Sequence, residues 1–325
     1  MSLSRRNMLA GAAALPALAG PTWTLAADEA KAPASKLIML GTGGGPAIAG
    51  PRYETSHVIV CGEDAYVVDC GYGVTEQLVR AKVPLSSIRD IFITHHHPDH
   101  NIELGTLIYF AWYMGLTKPL DVYAGPPVKK MIADYLAAEK PDIDIWVKDI
   151  GHTPMPPIRA HERVTGGFVM QDKNVKVTCA LVNHPPVFPA FGYRFDMADR
   201  SIVFSGDTSP LEAVAELAKG ADILVHEALY MRAVNDIPET SQTGARRTLA
   251  TPSQTIDPKK LREHLLKSHS PPDQVGRIAQ EAGVKTLVLS HLVPAGPDMT
   301  DEMWRDEAAK YFNGEIIVAH DLMVL

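Results

Sequence analysis

A run of metal-binding side chains at the end of an apolar segment constrains this chain more than any other feature. Residues 88–94 are mostly apolar and predict a strand, which leads directly into Thr94-His95-His96-His97-Pro98-Asp99-His100. Residues 102–114 then predict a helix. The run therefore lies in a loop between a strand and a helix, which is where α/β proteins place ligand-binding and catalytic groups.

The spacing within this run predicts a site for two metal ions. In an extended segment alternate residues face the same way, so His95 and His97 can bind one ion while Asp99 and His100 turn toward another. His96 points away from its neighbours and is not expected to be a ligand. Imidazole and carboxylate together suit zinc, with manganese or iron as substitutes. The alternative is an adventitious metal-binding tract, and the position between strand and helix argues against it.

The same run resembles the Thr-His-x-His-x-Asp-His signature of the metallo-β-lactamase superfamily, and the similarity extends over nearly the whole chain after Lys36. Three more segments follow predicted strands in the order that this family uses: Asn183-His184, Ser205-Gly206-Asp207-Thr208 and Ser290-His291-Leu292. The resemblance implies an α/β fold, the four-layered αββα sandwich, over residues 36–325.

The resemblance also implies which side chains bind which ion. The first ion would be held by three histidines, the second by a carboxylate and two histidines, and one more carboxylate would bridge both ions: His95, His97 and His184; Asp99, His100 and His291; and Asp207. Taken alone, a single histidine such as His184 is more often structural. A bridging carboxylate is similar to the phosphodiesterase, sulfatase and lactonase branches rather than to the antibiotic-degrading one.

Further segments resemble ribonuclease Z and its arylsulfatase-like relatives. These are Leu40 to Gly45, Val68-Asp69-Cys70-Gly71, Phe191-Gly192-Tyr193-Arg194, His226-Glu227-Ala228 and His269-Ser270. The resemblance implies that Glu227 orients and charges His269, which would protonate a leaving oxygen or stabilise charge on it. The alternative is that His269 only ends a helix, where a histidine interacts favourably with the helix dipole.

These features together predict a dinuclear hydrolase of small phosphodiester or sulfate (aryl) esters. Its nucleophile would be a hydroxide that bridges the two metal ions and is oriented by Asp99. The alternatives are a lactonase or β-lactamase-type hydrolase and, in another class, a non-catalytic metal-binding protein of the cell envelope.

The net charge and the length of one segment predict which partners this protein binds. The net charge of −7 argues against a broad electrostatic surface for nucleic acid. The long basic, Gly-rich arm of ribonuclease Z has no counterpart, because residues 151–167 are too short and too weakly basic. We therefore expect a small-molecule ester substrate and no nucleic-acid partner, and the resemblance is compatible with a homodimer.

The first residues resemble an export signal. Ser4-Arg5-Arg6-Asn7 precedes an Ala-rich apolar run, which predicts a twin-arginine-type signal peptide over residues 1–27 and a periplasmic location. Cleavage after either Ala19 or Ala27 is compatible with the sequence. The apolar run is shorter than a membrane-spanning helix, and no later segment is long enough to span, so we expect no membrane association after signal removal.

Two stretches carry little periodic signal. Residues 151–167 are interrupted by Pro and Gly and predict a loop. Residues 231–260 are polar and predict an insertion, which either lies over or near the cleft or is an ordinary surface loop.

Overall fold

The computed structural model describes residues 34–45, 51–235, 257–296 and 298–325. The predicted signal peptide over residues 1–27 lies outside these ranges, as does most of the predicted insertion over residues 231–260, so both stay predictions. Among the helices in the described ranges, none combines the length and the apolar content needed to cross a bilayer.

Two mixed sheets form the centre of the described fold. The strands of the first sheet are β1 (Lys36–Gly41), β2 (Ser56–Cys61), β3 (Asp64–Val68), β4 (Ile88–Phe92), β5 (Leu120–Ala124), β6 (Ile158–Glu162) and β14 (Met323–Val324), in the order β14-β1-β2-β3-β4-β5-β6. The strands of the second are β7 (Gly167–Gln171), β8 (Val175–Leu181), β9 (Phe191–Met197), β10 (Ser201–Phe204), β11 (Ile223–Leu229), β12 (Thr286–Val293) and β13 (Glu315–Val318), in the order β13-β12-β11-β10-β9-β8-β7.

Helices flank both sheets. In chain order they are α1 (Val74–Arg80), α2 (Pro98–Asn101), α3 (Leu104–Tyr113), α4 (Val128–Lys148), α5 (Glu212–Ala218), α6 (Met231–Asn235), α7 (Pro258–Ser268), α8 (Pro272–Ala282) and α9 (Asp301–Ala308). Buried side chains of α1 and α3 pack on the first sheet, and those of α5, α8 and α9 pack on the second. This arrangement of helix, sheet, sheet and helix confirms the predicted four-layered αββα sandwich.

The layering follows from the two-residue period of the strands. In β1, Leu37 and Met39 face the core between the two sheets, whereas Ile38 and Leu40 face the core under the helices. Phe92 ends β4 in the inter-sheet core, with its ring centroid 5.0 Å from that of Phe195. Such strands are apolar on both faces because the other sheet covers one face and helices cover the other. The same packing holds β4, the strand that leads into the metal-binding run, in its position.

The structure differs from the sequence-based expectation in two places. Residues 151–167 contain β6, which we expected to be loop. Its side chains are only partly buried because it lies at the edge of the first sheet, and this removes the apolar alternation that marks a strand. The sequence of residues 128–139 predicts a helix that ends there, but α4 continues through Pro141 to Lys148. Both differences lie outside the strand-to-loop segments that carry the predicted ligands.

Candidate metal centre

The predicted ligands converge because each lies at or near the carboxyl end of a strand. His95 and His97 follow β4, and α2 begins at Pro98 and carries Asp99 and His100. The remaining three come from the second sheet: His184 after β8, Asp207 after β10 and His291 in β12. Of the seven, only His97 is half-buried, and the others are at most 3% exposed.

The local backbone conformation sets the direction of two of these side chains. In the β11–β12 pairing, Glu227 is opposite Ser290 and Ala228 is opposite Leu292, so His291 is the extra residue of a β-bulge and has φ 45°. A bulge redirects a side chain out of the ordinary pleat. Before Asp207, Gly206 has φ 61°, and a Cβ there would lie 2.6 Å from the carbonyl oxygen of Phe191. Glycine is therefore required at this turn.

The first group of ligand atoms is built on three imidazoles. Nδ1 of His97 lies 3.0 Å from Nε2 of His95 and 3.0 Å from Nε2 of His184. Asp207 Oδ2 lies 3.8 Å from the His95 nitrogen and 3.9 Å from the His184 nitrogen. Ligand atoms of all four residues lie within 4.8 Å of one another.

The second group shares Asp207 with the first. Its Oδ2 lies 3.1 Å from Nε2 of His291, and its Oδ1 lies 3.3 Å from Nε2 of His100. Asp99 completes the group, with Oδ2 3.3 Å from Nε2 of His291 and 3.5 Å from Nε2 of His100. Asp207 therefore lies where a bridging ligand between two neighbouring ions would have to be.

Unpaired buried atoms show that these residues fit metal ions. Nδ1 of His100 donates to Asp69 Oδ2 at 2.8 Å, so a neutral ring presents a lone pair at Nε2. Among the described residues, that Nε2 and Asp207 Oδ1 are buried without a hydrogen-bond partner. Two buried acceptors that face each other are costly unless a proton or a metal cation lies between them. Mixed imidazole and carboxylate donors are those that zinc and similar divalent ions prefer.

Metal binding needs neutral imidazoles and ionised carboxylates, and three of the ligands are already in that state. Burial, with a smaller contribution from His184, lowers the pKa of His97 to about 4. Burial and the neighbouring His100 hold the pKa of His95 well below its ordinary value. The pKa of Asp207 is well below its ordinary range because the attraction of His291 and His100 outweighs the effect of burial. At neutral pH these three side chains can therefore offer lone pairs to a cation. Although burial lowers them, the Asp207 carboxylate raises the pKa values of His100 and His291 above the ordinary value, so these two rings lose a proton when an ion binds.

Asp69 is not a candidate ligand but holds the ligand-bearing segment by hydrogen bonds. In the sequence analysis it was assigned no role. It follows β3 with φ 63°, and its carboxylate accepts hydrogen bonds from the Thr94 backbone N–H at 2.8 Å, the Thr94 hydroxyl at 2.9 Å and His100 Nδ1 at 2.8 Å. It thereby fixes both the start of the metal-binding run and the tautomer of His100. In the sequence it appeared only as part of a family-like segment.

We expect Asp69→Asn to weaken metal binding. An amide can present an N–H where His100 Nδ1 now donates, and the ring would then carry its proton on the nitrogen that faces the site. Loss of such a supporting partner typically costs about 10–100-fold in metal affinity. Titration of zinc against a competing chelator measures this. The control is Asp64→Asn, at the opposite end of β3, where Asp64 is paired with Lys173 and Asn174. Equal affinities in the two variants would contradict the role given to Asp69.

The Gly-rich segment after β1 contacts the second ligand group. The backbone N–H of Gly45 donates to Asp99 Oδ2 at 2.8 Å, and a Cβ at Gly45 would lie 2.4 Å from the Cβ of Asp99. A Cβ at Gly44 would lie 2.7 Å from the His291 ring. The glycines therefore let the backbone approach the ligands closely, and one of them holds Asp99 in place.

His269 and Glu227 form a pair beside the ligand groups. His269 Nδ1 lies 3.2 Å from each Glu227 oxygen and 3.9 Å from Asp207 Oδ2. Glu227 Oε1 also accepts the backbone N–H groups of Thr208 at 3.0 Å and Ser270 at 3.1 Å, which fixes the carboxylate. Although burial lowers it, the Glu227 carboxylate raises the pKa of His269 above its ordinary value. His269 does end α7, as the alternative proposed, but its side chain faces Glu227.

The remaining histidine of the run lies outside both groups. His96 Nε2 donates to the carbonyl oxygen of Gly125 at 2.8 Å, and its other nitrogen contacts the Asn101 amide at 3.0 Å. Another histidine, His264 in α7, lies close to the site and was not predicted. It is a single histidine in a segment that the sequence predicts as a helix, and nothing in the sequence distinguishes it from a surface residue.

An αββα sandwich with a buried cluster of histidines and carboxylates at its strand ends is typical of metal-dependent hydrolases. The chain belongs to the metallo-β-lactamase superfamily, since a family model described as the beta-lactamase superfamily domain matches residues 65–292. It is also 31% identical over 294 residues to ribonuclease Z from Mycobacterium bovis, a match that covers 88% of this chain and 96% of that protein. The family implies divalent metal binding.

Two solved structures share the fold. The short form of human tRNase Z has a TM-score of 0.64 and 21% identity, covering 89% of this chain and 98% of that one. The metallo-β-lactamase fold protein YhfI from Bacillus subtilis has a TM-score of 0.63 and 20% identity, covering 90% of this chain and 98% of that one. At these identities the likeness is evidence for the fold alone.

The comparisons confirm the predicted superfamily and the predicted similarity to ribonuclease Z. They also correct one expectation. We expected a small-molecule ester as substrate and no nucleic-acid partner, but the relatives at about 30% identity are ribonuclease Z proteins. That expectation is wrong. It rested on the net charge, which averages over the whole surface and does not report a local binding groove, and on the missing basic arm, which is only one way to bind nucleic acid. The arylsulfatase-like assignment, the export signal and the periplasmic location stay predictions.

Proposed function

We propose that this chain is a dinuclear metal-dependent phosphodiesterase that hydrolyses a phosphodiester bond in RNA. The observation that carries the proposal is the sharing of Asp207 between two ligand groups beside a histidine held by Glu227. The names of the ribonuclease Z relatives support RNA as the substrate class.

The ligand residues divide into two sites in this proposal. His95, His97 and His184 would hold one ion, Asp99, His100 and His291 the other, and Asp207 would bridge them. Two zinc ions, or manganese or iron, would supply a water with a pKa near neutrality as nucleophile and positive charge for the phosphoryl oxygens.

Three side chains of the chain would then guide the reaction. Asp99, held by the Gly45 N–H, would orient the attacking water. Nδ1 of His269 donates a hydrogen bond to Glu227, and the raised pKa of His269 favours a second proton on Nε2. His269 could pass that proton to the leaving oxygen, which general acid catalysis requires for a poor leaving group such as a ribose alkoxide.

A substrate panel tests this function. Wild-type protein and Asp207→Asn would be assayed with an RNA oligonucleotide, bis(p-nitrophenyl) phosphate, p-nitrophenyl sulfate, a lactone and a chromogenic β-lactam, with and without chelator. We expect chelator-sensitive cleavage of both phosphodiesters by the wild type and almost none by the variant. Hydrolysis of the sulfate, lactone or β-lactam without phosphodiester cleavage would overturn the proposal in favour of those chemistries.

A further inference from the structure

His264 borders the metal centre but belongs to none of its ligand groups. It lies in α7, and its ring centroid is 6.3 Å from that of His97, 6.0 Å from that of His184 and 6.2 Å from that of His269. No group of candidate metal ligands found among the described residues includes it. It is half-buried, unlike His269, so its ring reaches the edge of the site.

The hydrogen bonds around His264 define which of its nitrogens is available. Nδ1 lies 3.4 Å from Ser268 Oγ, whose hydroxyl already donates to the carbonyl oxygen of Pro185 at 2.6 Å. Because that proton is committed, Ser268 can only accept from His264, and the Nδ1 proton must supply this bond. A neutral ring then has a lone pair at Nε2, for which the described part of the chain provides no hydrogen-bond donor.

The lone pair on Nε2 of His264 can pair only with a hydrogen-bond donor of the substrate. A phosphate in the centre offers only acceptor oxygens and cannot pair with it. In RNA the hydroxyl of the ribose is the donor closest to the scissile phosphate, and it is the group by which proteins distinguish RNA from DNA. We propose that Nε2 of His264 accepts a hydrogen bond from a ribose hydroxyl next to the scissile phosphate and so makes the enzyme prefer RNA. This inference rests on the proposed function.

The test compares two substrates within each protein. One is an RNA oligonucleotide, and the other is the same oligonucleotide with 2′-deoxy sugars on both sides of the scissile bond. We expect wild-type kcat/KM to be roughly three- to tenfold higher for the all-ribose substrate, the range of one neutral hydrogen bond. In His264→Leu this ratio should fall to about one. His264→Gln keeps an acceptor near the position of Nε2 and should keep part of the preference.

The control is His161→Leu, because His161 is paired with Asp121 on β5 and lies outside the ligand groups. It should keep the wild-type ratio. Since each ratio is taken within one protein, partial loss of folded or metal-loaded enzyme cancels. An unchanged ratio in His264→Leu, or a wild-type ratio of one, would overturn the role of His264. If bis(p-nitrophenyl) phosphate is cleaved but neither oligonucleotide is, the RNA substrate itself fails and this inference fails with it.

Discussion

Asp207→Asn will lower the rate of phosphodiester hydrolysis by at least about a thousandfold, because it affects both ligand groups at once. Asp207 Oδ2 lies 3.1 Å from a His291 nitrogen and Oδ1 lies 3.3 Å from a His100 nitrogen. Asparagine has nearly the same shape, but it is uncharged and replaces one oxygen by an NH₂ group that cannot bind a cation. Metal content should fall together with activity.

Elemental analysis and steady-state kinetics on the same preparation measure both effects. Asp64→Asn, which changes a similarly buried carboxylate away from the centre, should keep wild-type activity and metal content. An Asp207→Asn protein with near-native rates and full metal content would show that Asp207 is not a ligand.

The second large effect is expected at His269. If its Nε2 proton goes to the leaving oxygen, His269→Gln should slow RNA cleavage by about 10²–10⁴-fold. Bis(p-nitrophenyl) phosphate should be affected much less, because p-nitrophenolate leaves without help from an acid. A residue that only ends α7 would affect both substrates equally, and equal losses would therefore contradict the catalytic role.

The pH profile provides a second measurement of the same proposal. Glu227 raises the pKa of His269 above its ordinary value, so the proton is present below that raised pKa and is lost as the pH rises through it. Wild-type RNA cleavage should therefore decline at high pH. In Glu227→Gln the pKa of His269 falls and the decline should begin at lower pH, and in His269→Gln this limb should be absent.

Some of the site could be predicted because its signal is local. The run from Thr94 to His100 supplies four of the seven candidate ligands from one segment, and the apolar pattern before it places that segment at the carboxyl end of a strand. His184, Asp207 and His291 are single residues far along the chain. Only their resemblance to a family, in order and after predicted strands, connected them with that segment.

The features that were missed depend on packing rather than on local pattern. Asp69 matters because its carboxylate meets Thr94 and His100 across the sheet, and His264 matters because α7 brings it beside the centre. Neither contact produces a periodic pattern in the sequence. The edge strand β6 was missed for the opposite reason, because partial exposure weakens its alternation. The expectation of a small-molecule ester and no nucleic-acid partner failed because a net charge does not locate charge on a surface.

Metal content is the most direct test of the central claim. Purified protein would be analysed for zinc, manganese and iron, then assayed for phosphodiester hydrolysis before chelation, after chelation and after the metal is restored. The two ligand groups predict about two divalent ions per chain, with activity lost on chelation and regained with metal. Protein that is metal-free as purified and does not take up metal, or activity that is indifferent to chelation, would contradict the assignment of this site as a dinuclear metal centre.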